Sequence, residues 1–143
     1  MDQTRGLELI PLCRAVMKVR DIVTLPNTPS GTLMIGELYD SVWEGERFRL
    51  VQRGRAAADW LVKRPDGTAQ PDIRLTMESE SGDLVYIEYT GRFDFEAGVG
   101  YTCPRFTTGA PALQWLNRIQ AVGKAYFDAE TLTVTYPQFY ELR

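Results

Sequence analysis

Short segments with the alternating pattern of β-strands follow one another along this chain at intervals of roughly ten residues, and turn residues separate them. At residues 64–67 the sequence Arg-Pro-Asp-Gly offers a proline at the φ it prefers, followed by a glycine that accepts a positive φ. This turn should reverse the chain between a strand at residues 60–62 and another at 73–75. Such spacing is typical of an all-β sandwich or barrel.

A second turn, at Ser81-Gly82, is a candidate two-residue hairpin loop, and it predicts the register of the strands beside it. Residue 80 would pair with 83, 78 with 85, 76 with 87 and 74 with 89, so that Arg74 and Tyr89 become cross-strand neighbours. The face that this register defines carries Asp72, Arg74, Thr76, Val85, Ile87 and Tyr89. Both faces of the hairpin mix polar and apolar residues, which favours a barrel with a partly polar lumen, although a slip of one residue would reverse the assignment.

The two ends of the chain add further strands and one helix. Residues 7–19 and 31–39 are predicted strands, and residues 21–30, which contain two prolines and an asparagine, are a predicted loop. Pro111 suits the first position of a single short helix. Residues 119–127 and 132–136 return to strand, and in the last segment Leu132, Val134 and Tyr136 alternate with threonines. A length of 143 residues predicts a single domain, 1–143.

Composition removes several classes of function. The chain has no histidine, which excludes histidine-dependent nucleophile pairs and histidine metal triads, and we expect no metal and no cofactor. A net charge of −3 with both signs scattered argues against a nucleic-acid partner. Catalysis would depend on carboxylate, tyrosine, arginine or lysine side chains.

The expected compartment is the cytoplasm, and no membrane association is expected. Residues 1–5 lack the basic flank and apolar run of a signal peptide, and no segment reaches the roughly 18 consecutive apolar residues of a membrane span. Cys13 and Cys103 have no paired-ligand spacing and are expected to be two buried thiols. Their separation in the sequence does not determine whether they could meet in a disulfide.

A series of short motifs covers nearly the whole chain. In order they are Ala58-Asp59-Trp60, Arg64-Pro65-Asp66-Gly67, Asp72-Ile73-Arg74, Gly82 with Val85 and Ile87, Gly91, Pro104-Arg105-Phe106 with Gly109, and Trp115-Leu116-Asn117 with Gly123. Their order and spacing resemble the family known as domain of unknown function 3237. The resemblance implies a closed antiparallel, calycin- and lipocalin-like β-barrel of about eight strands, with a lumen open at one end. The chain departs from the family at residues 54–58, where a usually glycine-rich stretch reads Gly-Arg-Ala-Ala-Ala.

Asp59, Arg74 and Tyr89 are the candidate catalytic residues. Asp59 could be a pocket carboxylate that acts as general base or acid, or a carboxylate that caps a turn. Arg74 could hold a ligand carboxylate, phenolate or enolate with its planar fork, or form a salt bridge with Asp72 or Asp59 inside the barrel. Tyr89 could donate a hydrogen bond to a ligand carbonyl, or belong to the core.

The candidate ligand contacts are Trp60, Asp72, Tyr101, Arg105 and Trp115. The two tryptophans could instead be core residues or plugs at a barrel end, and Arg105 could be either a residue of the mouth or a solvated strand charge. A further tryptophan, Trp43, is expected at a rim or an interface. A homodimer, formed through the barrel exterior or this rim, is left open.

These observations lead to two main hypotheses. The first is a cofactor-independent acid/base enzyme of the lyase, isomerase, dehydratase or cyclase type, acting on a small hydrophobic, aromatic or polyketide-like metabolite in the lumen. The second is a small-molecule binding or carrier barrel that leaves its ligand unchanged. A structural or interaction module, with a lumen packed solid, is a third alternative.

Overall fold

Eleven strands form one antiparallel sheet in the computed structural model, which describes residues 6–143. The expectation about a signal peptide, which was made from residues 1–5, concerns a segment outside the described residues. The strands are β1 (Leu9–Thr28), β2 (Gly31–Glu44), β3 (Arg49–Gln52), β4 (Ala58–Lys63), β5 (Thr68–Gln70), β6 (Asp72–Ser79), β7 (Leu84–Asp94), β8 (Val99–Thr102), β9 (Arg105–Thr107), β10 (Ala121–Asp128) and β11 (Thr133–Leu142). The sequence Pro111–Arg118 is a 3₁₀ helix with its proline at the start, as predicted.

The sheet closes on itself because β5 and β6, near one end of its strand order, both pair with β7, near the other end. β1 pairs with β2 on one side and with β11 on the other, and β6 pairs with β7 to complete the circuit. Ten strands form the barrel, and β9 lies against β7 at the end of the strand order. The predicted closed antiparallel barrel with one short helix is therefore confirmed, with ten strands in place of about eight.

The predicted loop at residues 21–30 is largely strand. β1 continues to Thr28 and pairs with β2, and two residues with positive φ, Asp21 and Asn27, bend it. The reversal is confined to Pro29 and Ser30, which precede β2. Pro26 is compatible with a strand because this end of β1 lies beyond its pairing with β11, so its missing N–H interrupts little.

The turn at residues 64–67 reverses the chain as predicted. The Arg64 carbonyl accepts a hydrogen bond from the Gly67 N–H at 3.1 Å, and Gly67 has a φ of +88°. The Asp66 carboxylate accepts hydrogen bonds from the backbone and the hydroxyl of Thr68, which lower the pKa of Asp66. β4 consequently pairs with both β5 and β6.

The hairpin between β6 and β7 has a register one residue away from the predicted one. Its loop contains three residues, 80–82, with Gly82 at a φ of +84°, and Ser79 is hydrogen-bonded to Asp83. Arg74 is therefore opposite Glu88, and Tyr89 is opposite Ile73. Because of this one-residue difference in register, Ile73, Leu75 and Met77 of β6 share a face with Tyr89 of β7, and they point into the barrel.

Hydrophobic side chains fill one half of the barrel interior. Trp43, Leu50, Leu75, Met77, Val85, Ile87, Phe106 and Phe139 are buried there. Leu113 and Leu116 of the 3₁₀ helix pack into the same cluster. The prediction that Trp43 lies at a rim is wrong, since its exposed fraction is 0%. Cys13 is buried as predicted, but Cys103 is exposed.

In residues 6–143, none of the helices has the length and apolar character needed to cross a membrane.

Candidate functional site

A cavity of about 280 Å³ occupies the half of the barrel that the core leaves open. Its walls come from the second half of β1, the first half of β2 and the start of β11, whereas Trp43 and Phe139 lie toward the opposite ends of their strands. Aliphatic and aromatic side chains form most of the wall, among them Met34, Leu61, Phe93, Phe95, Phe127 and Val134. The cavity therefore suits a small apolar molecule.

Among the described residues that line the cavity, three carry a polar side-chain group: Asp59, Thr102 and Tyr136. Each comes from a different strand, β4, β8 or β11, and the alternation of the strands turns these side chains inward. Gly36 is the cross-strand partner of Asp59 on β2, and a side chain at this position would collide with Val19, because an added Cβ would lie 2.6 Å from its Cγ1.

Asp59 is a carboxyl group in apolar surroundings. Part of its surface is accessible through the cavity, but protein atoms surround it on the other sides. This desolvation raises the pKa of Asp59 to about 7, although one oxygen accepts a hydrogen bond from the Asp72 N–H at 3.0 Å, which favours the charged form. Near neutral pH the group thus exists in both protonation states, as a general base or acid requires.

The two hydroxyl groups on the wall belong to a buried chain of hydrogen bonds. The Thr102 hydroxyl donates to the Tyr136 oxygen at 3.3 Å, and Tyr136 donates to the Tyr89 oxygen, also at 3.3 Å. Tyr89 lies one layer deeper and donates to the sulfur of Met17 at 3.7 Å. Burial raises the pKa of Tyr136 to about 12 and that of Tyr89 well above its ordinary value, with the charge of Asp59 adding to both. Both phenols are therefore neutral donors at physiological pH.

The structure brings two of the three predicted catalytic residues into this region. Asp59 lines the cavity and Tyr89 lies behind Tyr136. Arg74 is on the outside of the barrel, which corrects the prediction that it shares the lumen with Asp59. Its guanidinium lies 3.5 Å from Asp72 and 4.8 Å from the ring centre of Trp60, both of which also face outward.

The remaining predicted contacts also lie away from the cavity. Tyr101 is 56% exposed and stacks against Lys124 on the outer surface. Arg105 faces Glu88 at 3.9 Å, again on the outside. Trp115 packs on Phe48 beneath Arg47, beside the filled half of the barrel. These positions correct their predicted placement around the ligand.

Thr102 and Tyr136 are the polar cavity residues that sequence reasoning missed. A signal for Tyr136 was available, because Leu132, Val134 and Tyr136 share one parity and all three line the cavity. Nothing in the sequence around Thr102 distinguishes it from the other threonines. In the described part of the chain, no three side chains of the types that bind metals converge.

A second cleft, of about 550 Å³, has a different character. It lies between the start of β1, the turn after β2 and the end of β11, and its charged residues include Arg14, Glu46 and Arg47. Arg47 is 3.6 Å from Glu141 and stacks over Trp115, so its charge is already partnered. The apolar cavity with its buried carboxyl group is the better candidate site.

Known proteins of the same shape were found among solved structures. A beta-barrel like protein from Acinetobacter baumannii AYE is 21% identical, with a TM-score of 0.86 and 100% of each chain covered. A conserved protein of unknown function from Rhodopseudomonas palustris is 23% identical, with a TM-score of 0.86 over 98% of this chain and 100% of that one. An enzyme from Penicillium herquei is 14% identical, with a TM-score of 0.76 over 100% of this chain and 99% of that one. At these identities the likeness establishes the fold alone.

No curated protein matches the sequence significantly. The model of the family described as "Protein of unknown function (DUF3237)" matches residues 7–142. The match spans nearly all of the chain and agrees with the order of motifs noted in the sequence. The chain therefore belongs to the DUF3237 family.

Proposed function

We propose that this chain is a cofactor-independent acid/base enzyme that moves a proton on a small hydrophobic metabolite held in the barrel cavity. The observation that carries the proposal is the Asp59 carboxyl group, whose pKa of about 7 and position on an apolar wall suit proton transfer at neutral pH. A neighbour of the same fold described as an enzyme is consistent with catalysis on this scaffold.

The chemistry begins with the ionised form of Asp59. One carboxylate oxygen takes a proton from an acidic C–H or O–H of the bound molecule, and the electron pair left behind moves to a conjugated carbonyl oxygen. The neutral carboxyl group then returns its proton to another atom of the same molecule. An isomerase, lyase, dehydratase or cyclase of this kind needs no external oxidant or reductant.

The cavity wall indicates the substrate class. Phe93, Phe95 and Phe127 present aromatic surface to the ligand, and the described lining residues include no lysine or arginine. A phosphate or a second carboxylate on the ligand would be buried there without a counter-charge, which is unfavourable. The substrate is therefore a largely apolar molecule with few polar groups, of aromatic or polyketide-like character.

Hydrogen exchange on a model ketone tests proton transfer without knowledge of the natural substrate. We expect the protein to accelerate deuterium incorporation at the α-carbon of 1-tetralone in D₂O, measured by NMR. Because Asp59 acts as a base only when ionised, the rate above buffer should rise with pH and level off above about 7. Exchange catalysed by hydroxide in buffer alone continues to rise, which separates the two processes.

A carrier protein is the second candidate function. It is favoured by the scarcity of polar groups, since all but three of the wall residues within 6–143 lack a polar side-chain group. A carrier would bind 1-tetralone and exchange its protons no faster than buffer does. Binding with this exchange behaviour would exclude the enzyme proposal for α-acidic ketones and leave the carrier function.

A further inference from the structure

The hydrogen-bonded chain of Thr102, Tyr136 and Tyr89 ends at a weak acceptor, so the hydroxyl hydrogen of Tyr89 is available to a stronger one. Tyr89 donates to the Met17 sulfur at 3.7 Å, and a thioether is a weak acceptor. The two oxygen-to-oxygen contacts of Tyr136 are 3.3 Å, longer than the usual 2.5–3.0 Å for hydroxyl groups. The protons of this chain are therefore held loosely, although Tyr89 and Tyr136 are only 2% and 1% exposed.

Loose contacts of this kind can reverse direction when a better acceptor arrives. If a ligand oxygen lies beside Tyr136, its hydroxyl turns toward that oxygen, and Tyr89 rotates its own hydrogen from the sulfur to the Tyr136 oxygen. The exchange gives up one weak O–H···S contact and gains a hydrogen bond to the ligand. The Thr102 hydroxyl, which also lines the cavity, can support Tyr136 or bind the same ligand oxygen.

Building on the proton transfer assigned to Asp59, we propose that Tyr136, supported by Tyr89 and Thr102, forms the binding site for a carbonyl or enolate oxygen of the substrate. The ligand class becomes a neutral ketone or related conjugated carbonyl compound. Its acidic hydrogen faces Asp59 while its oxygen faces Tyr136.

The charges of the site fit this arrangement. The Asp59 carboxylate is close enough to raise the pKa of both phenols, so they keep their protons and act as donors. When Asp59 takes a proton from the ligand, its negative charge passes to the ligand oxygen, where Tyr136 donates. The phenol thus meets the charge in the place where it develops, which is the condition for lowering the barrier.

A pair of probes with nearly the same shape tests the carbonyl site through binding alone. 1-Tetralone and 1,2,3,4-tetrahydronaphthalene differ in the carbonyl oxygen, and calorimetry gives the ratio of their dissociation constants. We expect Tyr136→Phe to reduce the preference for the ketone about tenfold relative to the unaltered protein, and Tyr89→Phe to reduce it by a smaller factor. Tyr126→Phe, on the outer face of β10, is the matched control and should leave the ratio unchanged.

A spectroscopic measurement covers the case in which a variant fails to fold. The carbonyl stretch of 1-tetralone bound to the unaltered protein should lie at a lower wavenumber than in hexane, as a hydrogen-bonded carbonyl requires. A stretch equal to that in hexane, or an unchanged binding ratio in folded Tyr136→Phe, would overturn the proposal. Loss of hydrogen exchange with a persistent ketone preference would instead contradict the enzyme function and leave the carbonyl site standing.

Discussion

Asp59→Asn is expected to be more stable than the unaltered protein at about pH 8, and no more stable than it at about pH 4. Burial raises the pKa of Asp59 to about 7, whereas in the unfolded chain it returns to about 4. Between these values the folded protein holds a proton that the unfolded chain has released, so stability falls as the pH rises through this window. Above it, the folded state carries the full cost of a buried charge.

The size of the effect follows from the separation of the two pKa values. About three units at 1.36 kcal/mol each amount to about 4 kcal/mol, an upper limit because water that enters the cavity solvates the carboxylate. Asparagine is neutral at every pH, and its oxygen can still accept the hydrogen bond from the Asp72 N–H. Urea unfolding across the pH range measures the difference directly.

The same substitution should remove catalysis. We expect the rate of α-hydrogen exchange on 1-tetralone to fall by about 10²–10⁴, because the amide cannot accept the proton. Glu80→Gln is the matched control, since it neutralises an exposed carboxylate in the β6–β7 turn. It should alter neither the exchange rate nor the pH dependence of stability. Asp59→Asn with unchanged exchange and the same stability curve as the unaltered protein would remove Asp59 from the site.

The turns and the alternation of the sequence were sufficient to predict an all-β sandwich or barrel because they are local signals, and the resemblance to the family added the closed barrel. Residues 64–67 and the strands beside them form as their turn chemistry predicts. Local patterns of this kind do not depend on the rest of the fold. For Asp59 the sequence left a pocket carboxylate and a turn cap as alternatives, and the structure places the residue on the cavity wall together with Leu61 of the same strand.

The predicted position of Arg74 was wrong because one additional residue in the loop changes the register between β6 and β7. A two-residue loop at Ser81-Gly82 would have turned Arg74 to the same face as Tyr89, and the three-residue loop turns it outward. The place of Tyr136 in the site could not be predicted from local patterns. The alternation along its strand indicated which face its side chain shares, but its contacts with Thr102 and Tyr89 join strands that are far apart in the chain. Trp43 was misjudged for the same reason, because four distant aromatic residues surround it.

Trp43→Ala is expected to lower the free energy of unfolding by about 3–5 kcal/mol, because it opens a cavity in the filled half of the barrel. The indole is stacked on Phe139 at 4.6 Å between ring centres and meets Phe106 and Tyr89 edge-on, each at 6.0 Å. It also lies 6.3 Å from the ring of Tyr136. The tryptophan thus supports the tyrosines of the candidate site from behind, and its loss should also weaken the preference for 1-tetralone.

Two further variants test whether the loss of stability in Trp43→Ala comes from the buried aromatic packing. Among the described residues the indole N–H of Trp43 has no hydrogen-bond partner, so Trp43→Phe removes an unsatisfied donor while it keeps an aromatic ring, and we expect a loss below about 2 kcal/mol. Trp60→Ala is the matched tryptophan control on the barrel exterior, where Arg74 covers the ring, and it should lose about 1 kcal/mol. Chemical denaturation of the three variants gives the comparison. Equal losses of unfolding free energy for Trp43→Ala and Trp60→Ala would mean that the aromatic cluster does not stabilise the filled half of the barrel. The inference that Trp43 supports Tyr136 from behind would then be wrong.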